Sequence, residues 1–163
     1  ERAIESRCLS LILRQQPVAS DLRQVSTALK VVTDLERIGD HASDIAELIL
    51  RIKSEHAYHI VKHLPVMAAS ANAMVHDAIE AFINQDLDSA MEIIERDDEV
   101  DTLFNQVKDD VIHLLKSSPD QADQGIDLLM VAKYLERIGD HAVNVCEWTQ
   151  FSKTGALKNV RIM

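Results

Sequence analysis

The residues best suited to chemistry are carboxylates inside a repeated motif. The eight residues 35–42 (LERIGDHA) return unchanged as residues 135–142. Each copy holds a Glu and an Asp four residues apart, namely Glu36 with Asp40 and Glu136 with Asp140. On a helix this spacing places both carboxylates on one face. A glycine in the interior of a helix is unfavourable, so Gly39 and Gly139 indicate that something approaches the helix closely there.

A second acidic pair lies between the two copies. Asp97 interrupts an apolar seam that continues through Val100, Phe104 and Val107, and Asp101 follows it by one helical turn. An aspartate in a seam is costly unless it is paired or coordinated. Packing this pair against the second motif would collect four carboxylates in one groove. All the ligands would be oxygens, which suit hard cations such as Mg, Mn, Ca or Fe(III).

A simpler interpretation competes with metal binding. A single Glu-x-x-x-Asp pair on a helix is usually a solvated face stabilised by nearby basic groups. The exact duplication, the glycines and the aspartate in a seam favour the metal hypothesis. His41 and His141 follow each aspartate but point about 100° away from it, so we interpret them as packed or interface histidines, with metal ligation as the alternative.

The elements that carry these residues are predicted to be long helices. Apolar positions with alternating spacings of three and four predict heptad seams in the helices that carry the motifs. The predicted helices cover about 1–14, 21–51, 65–84, 88–116 and 118–151, with a loose tail from Lys153. Ser118-Pro119-Asp120-Gln121 is a capping-box pattern for the last helix. The fold class is therefore all-α, with antiparallel helix bundles built from a tandem repeat.

Composition and the absence of catalytic motifs from the sequence argue against several classes of function. The 163 residues carry a net charge of −10, which disfavours nucleic acid as a partner. No apolar run reaches the length of about 20 residues that spans a membrane. We predict that Cys8 and Cys146 are buried free thiols. The sequence has no GxSxG elbow and no HExxH, and the histidine that follows Glu36 by five residues does not fit a di-iron oxygenase.

The two LERIGDHA motifs resemble those of the PhoU family of phosphate-transport regulators. Residues 15–23 (QQPVASDLR) and 97–101 (DDEVD) carry the same resemblance. It implies two tandem three-helix bundles, with the first incomplete in this chain. We expect residues 1–58 to form the first repeat, without its first helix and part of its second, residues 59–152 to form the complete second repeat, and residues 153–163 to form a tail. The chain lacks an initiator methionine, which suggests that it begins inside a longer protein.

The resemblance also implies a function. It implies metal ions, multinuclear in the family and of the type Fe, Zn, Mn or Mg, on the carboxylates Glu36, Asp40, Asp97, Asp101, Glu136 and Asp140. It implies a non-enzymatic, dimeric, cytoplasmic repressor of phosphate-starvation signalling, peripheral to the membrane at most. Its partners would be a phosphate ABC transporter and a sensor histidine kinase. The alternative is a metal-dependent hydrolase that uses the carboxylate clusters as Lewis-acid sites.

Overall fold

In the part of the chain that the structure describes, five long helices form, which suits a sequence with only four glycines and three prolines. The computed structural model describes residues 1–52, 59, 61–157 and 160–161. The helices are α1 (Arg2–Gln15), α2 (Ala19–Arg51), α3 (Leu64–Asn84), α4 (Leu87–Ser117) and α5 (Ala122–Thr154). The all-α fold class is confirmed, and each predicted helix lies within a few residues of its expected bounds.

Pro17 and Asp86 mark two of the breaks between helices. Pro17 separates α1 from α2, since α1 ends at Gln15 and Gln16 adopts a left-handed conformation. Asp86 caps the start of α4 by accepting hydrogen bonds from the backbone N–H groups of Asp88 and Ser89, at 3.1 and 3.2 Å. These bonds lower the pKa of Asp86.

The predicted capping box before α5 is wrong in its detail. The Ser118 side chain makes no capping hydrogen bond, and its backbone carbonyl accepts from the Gln121 N–H at 3.0 Å. Residues Pro119–Gln121 form one 3-10 turn that leads into α5. The chain thus enters the helix through a tighter turn, which satisfies backbone groups without the serine hydroxyl.

Helices α3, α4 and α5 form a closed three-helix bundle. Arg96 pairs with Asp77 and His63 lies 2.7 Å from Asp110, so residue numbers rise along α3 as they fall along α4. Between α4 and α5 the same antiparallel order holds, because Gly139 lies beside Asp97 and Gly125 beside Leu114. The core contains Met67, Met74, Val100, Val107, Val111, Leu114, Leu128 and Val145, each at most 2% exposed.

The second predicted seam is confirmed and the first is only partly buried. All six seam residues of α5 are buried: Leu128, Val131, Leu135, Ile138, Ala142 and Val145. In α2 only Val31 of the corresponding set is buried, and Ile49 is 55% exposed. The difference follows from the neighbours, because α5 packs against α2, α3 and α4 whereas α2 packs against α1 and α5. In the part of the chain that the structure describes, much of the apolar seam of α2 is therefore left uncovered.

The two repeats meet where α2 crosses α5. Arg51 lies 3.3 Å from Asp127, and the ammonium of Lys30 lies over the Trp148 ring, 5.9 Å from its centre. Low residue numbers on α2 therefore face high numbers on α5, and these helices are also antiparallel. Among the described helices, α5 therefore belongs both to the second bundle and to the contact between repeats.

The contact between α2 and α5 is approximately two-fold symmetric, but some equivalent positions of the two repeats carry different residues. His41 and His141 are equivalent by the repeat, and their ring centres lie 5.6 Å apart. His141 Nδ1 lies 2.8 Å from Asp34 Oδ1, which also accepts a hydrogen bond from Asn144 at 3.1 Å. In the repeat, Asp34 corresponds to Tyr134 and His141 to His41. The equivalent contact is therefore that of Tyr134 with His41, whose rings stack with their centres 5.4 Å apart. A polar pair and an aromatic stack thus fill the same place in the two halves.

The end of the chain differs from the predicted loose tail. α5 continues to Thr154, Gly155 takes a left-handed conformation, and Ala156–Leu157 pairs with Val160–Arg161 as a short antiparallel ladder. The expected boundary between repeats, after residue 58, lies in a stretch (53–60) of which only residue 59 is described. Cys146 is buried as predicted, which raises its pKa to about 12, whereas Cys8 is half-buried. Among the described helices, no segment combines the length and apolar character that a membrane crossing needs.

The Asp34 contact gives a test of the interface between repeats. Asp34→Ala removes the acceptor of His141 and Asn144, and we expect it to lower the free energy of unfolding by about 1–3 kcal/mol, because two partly buried polar groups lose their partner. Asp109→Ala, at an exposed aspartate of α4, is the control and should change it by under about 0.5 kcal/mol. Urea unfolding measures both, and equal losses would mean that the contact contributes nothing to stability.

Candidate metal centre

Four of the six predicted carboxylates gather where α4 packs on α5. We call Asp97, Asp101, Glu136 and Asp140 the acidic groove. The close approach depends on Gly139, because a Cβ at this position would lie 3.2 Å from Asp97 Oδ1 and 3.6 Å from Val100 Cγ1. Gly139 is buried, so the expectation that a glycine makes room for a close neighbour is confirmed here.

The carboxylates of the acidic groove repel one another. The pKa of Asp97 rises from 3.8 to about 6, first because burial penalises its charge and then because of the charges on Asp140, Asp101, Asp98 and Glu136. The pKa of Asp140 also rises, through burial and then through the charge on Glu136. Two aspartates that resist ionisation mark a place where a positive charge would be favourable.

One positive group of the protein already reaches this place. Lys133 makes an ion pair with Glu136, one turn away on α5. Its positive charge partly opposes the rise in the pKa of Asp140. The same ammonium lies over the ring of Phe104 on α4, 5.4 Å from the ring centre. The lysine side chain is 40% exposed and the glutamate side chain 17% exposed. The sequence analysis missed this lysine, although its position three residues before Glu136 was a signal for an ion pair.

The first motif lies in a different setting. Glu36 and Asp40 are exposed on α2, and Arg37 reaches Asp40 at 3.5 Å. A hydrogen bond with the Glu1 side chain is the main reason that the pKa of Glu36 is raised. Among the described residues nothing would lie within 4 Å of a Cβ at Gly39, so the expected close approach is absent here. In the described structure, Glu36 and Asp40 thus lie on an exposed face of α2, with an arginine beside the aspartate.

The acidic groove is not a preformed ligand shell. In the described ranges, no three or more His, Cys, Asp or Glu side chains are already arranged to hold a metal ion. The donors nevertheless fit a hard cation, since all four are carboxylates, and Asp101 and Asp140 are open to solvent. Binding there would require the side chains to turn toward a common centre.

The repeated histidines occupy the interface between repeats, as the simpler interpretation predicted. His41 is 9% exposed and stacks on Tyr134. Burial, and then the charges of His141 and Arg137, lower the pKa of His41. Its Nδ1 lies 3.8 Å from Asp44, beyond hydrogen-bonding distance. In the described structure both rings thus pack between α2 and α5.

Comparison with known proteins gives a consistent result. The family model described as "PhoU domain" matches residues 1–49 and 64–149. A "Phosphate-specific transport system accessory protein PhoU homolog" of Clostridium acetobutylicum is 42% identical over 156 residues, which are 95% of this chain and 71% of that protein. The "Phosphate-specific transport system accessory protein PhoU homolog 1" of Thermotoga maritima is 34% identical over 161 residues, which are 98% of this chain and 68% of that protein.

Solved structures agree with the sequence matches. The crystal structure of PhoU from Pseudomonas aeruginosa superposes with a TM-score of 0.86 at 31% identity, over 95% of this chain and 75% of that one. The phosphate transport system regulatory protein PhoU from Streptococcus pneumoniae gives 0.83 at 31% identity, over 96% and 73%. The repeated motif, the three-helix bundle and these matches together show that the chain belongs to the PhoU family.

Proposed function

We propose that this protein is an accessory regulator of a phosphate-specific transport system and that it binds a metal ion in the acidic groove. The regulatory part is supported by the relatives, whose names describe accessory or regulatory proteins of phosphate transport. The metal part is supported by one observation above the others. Asp97, partly buried beside Gly139 and among three further carboxylates, has a pKa of about 6.

The acidic groove would hold the ion through oxygen atoms alone. Asp97 and Asp101 from α4 would bind from one side, and Glu136 and Asp140 from α5 would bind from the other. Fe, Zn, Mn and Mg are the candidate metals, and all-oxygen ligands favour the harder ions among them. When bound, the ion supplies positive charge and open coordination positions for an oxygen ligand.

This charge bears on regulation. The chain has a net charge of −10, so without a cation the groove would repel phosphate and acidic partners. With an ion in place, a phosphate oxygen or a carboxylate of a partner could complete the coordination. We propose that metal occupancy controls partner binding and not catalysis. The proposed partners are the transporter and a sensor histidine kinase, with a second copy of the chain as a dimer partner.

The test measures metal content and partner affinity together. Glu136→Ala with Asp140→Ala should remove most of the metal found by elemental analysis of the purified protein. It should also weaken binding of the transporter ATPase subunit to the level of chelated wild type. If the partner binds the metal-loaded form more tightly, loss of the metal weakens partner binding. By linkage, the factor equals that by which the partner tightens metal binding.

The control is Glu92→Ala with Glu99→Ala, which removes the same charge from two exposed positions of α4. It should keep both metal and partner affinity. Full metal content in the Glu136/Asp140 variant would refute the proposed site. Metal loss without any change in partner affinity would instead mean that the ion is a structural element and that regulation uses another surface.

The crowded carboxylates also predict a pH dependence of the metal-free protein. Folded protein keeps a proton on Asp97 up to about pH 6, whereas the unfolded chain releases it near the ordinary pKa of 3.8. The folded state therefore binds more protons between these values, and the contribution of Asp97 to stability falls as the pH rises through this window. Asp97→Asn removes this dependence.

The measurement is the free energy of unfolding of chelated protein at about pH 4 and about pH 7. The value for Asp97→Asn minus that for wild type should become more positive at the higher pH. The exposed aspartate variant Asp109→Asn should show a smaller change of this difference. A difference for Asp97→Asn that stays constant with pH would show that Asp97 is not crowded in the folded protein.

A further inference from the structure

We infer that Lys133 is a built-in counter-ion of the acidic groove. In the metal-free protein its ammonium pairs with Glu136, and this ion pair must break when a metal ion binds. Lys133 would then set the metal concentration at which the protein becomes loaded. This inference rests on the proposed metal binding at the same groove. It adds a residue that is not itself a proposed ligand.

The contacts of Lys133 place its charge inside the groove from one side. Its ammonium makes an ion pair with Glu136, one turn along α5. The ring of Phe104, 5.4 Å away on α4, presents its negative face to the same ammonium. The lysine thus bridges α5 and α4 at the place where the two acidic pairs meet.

The compensation is incomplete, which leaves room for a metal ion. One ammonium, paired with Glu136, can offset only one of the four carboxylate charges of the acidic groove. A divalent ion bound by all four groups compensates more charge than the lysine does. Because the lysine side chain is 40% exposed and has a flexible stem, its ammonium can move into solvent when the ion binds.

The first motif has no lysine at the position equivalent to Lys133. The residue equivalent to Lys133 is Thr33, whose hydroxyl donates to the Leu29 carbonyl of its own helix at 3.0 Å. At the offset of 103 residues that relates α1 to α4, Phe104 corresponds to Glu1, which lies beside Glu36. Among the described residues, the first motif thus has neither an ammonium nor a ring at these equivalent positions, and Arg37 lies near Asp40 instead.

Titration of Mn²⁺ into chelated and then dialysed protein, followed by calorimetry at low salt, tests the inference. Lys133→Met keeps the stem and removes the charge, and we expect it to tighten Mn²⁺ binding about three- to fivefold, the upper part of the range set by loss of one partly exposed ion pair. Lys133→Arg keeps the charge and should bind within about twofold of wild type. Lys108→Met removes the same charge from an exposed lysine of α4 and should also stay within about twofold.

A second readout needs no metal. In chelated protein, Lys133→Met should lower the midpoint of urea unfolding more than Lys108→Met does, and about 0.5 M NaCl should reduce the difference. Equal or weaker Mn²⁺ binding by Lys133→Met would overturn the inference while leaving the metal site intact. If no variant and no wild type binds Mn²⁺, the metal proposal and the displacement step both fail. A metal-free midpoint equal to that of Lys108→Met would then refute the counter-ion role as well.

Discussion

Electrostatic repulsion among four carboxylates is the constraint on which the functional interpretation depends. Asp97, Asp101, Glu136 and Asp140 converge because α4 and α5 pack closely at Gly139, where no side chain separates the helices. The packing that buries Val100 and Ile138 thus also forces the acids together. Burial of the apolar core stabilises the packing of α4 on α5, and repulsion among the carboxylates destabilises it unless a cation is present.

The position of α5 couples this groove to the rest of the molecule. One side of the helix carries Glu136 and Asp140 toward α4, and another carries His141 and Asn144 toward Asp34 of α2. A change in how the carboxylates are compensated therefore acts on a helix that also forms the interface between repeats. Adjacent residues, Asp140 and His141, face the two different neighbours. This arrangement gives a physical route by which cation binding can influence the relation of the two repeats.

Sequence reasoning predicted the features that depend on periodicity and missed those that depend on single substitutions within the repeat. The heptad seam of α5 and the close approach at Gly139 follow from spacing and from the special cost of glycine, so both could be predicted. The burial of α2 could not, because the same seam is covered to a degree set by how many helices surround it. Asp40 and Asp140 are equivalent in the repeat, yet Asp40 lies beside Arg37, whereas partial burial and the charge on Glu136 raise the pKa of Asp140. Two positions just before the identical motif differ between the repeats: Thr33 corresponds to Lys133, and Asp34 corresponds to Tyr134. The identical residues alone therefore do not reveal these two differences.

The location of the metal ion is the central claim, and anomalous X-ray scattering tests it most directly. Crystals of the Mn²⁺-loaded protein, with data collected on both sides of the manganese absorption edge, would place each bound ion without reference to its ligands. The account predicts an anomalous peak between α4 and α5, within about 2.0–2.6 Å of carboxylate oxygens from Asp97, Asp101, Glu136 or Asp140. It also predicts that Lys133 no longer contacts Glu136 in those crystals. Bound manganese with no peak in the acidic groove would contradict the account.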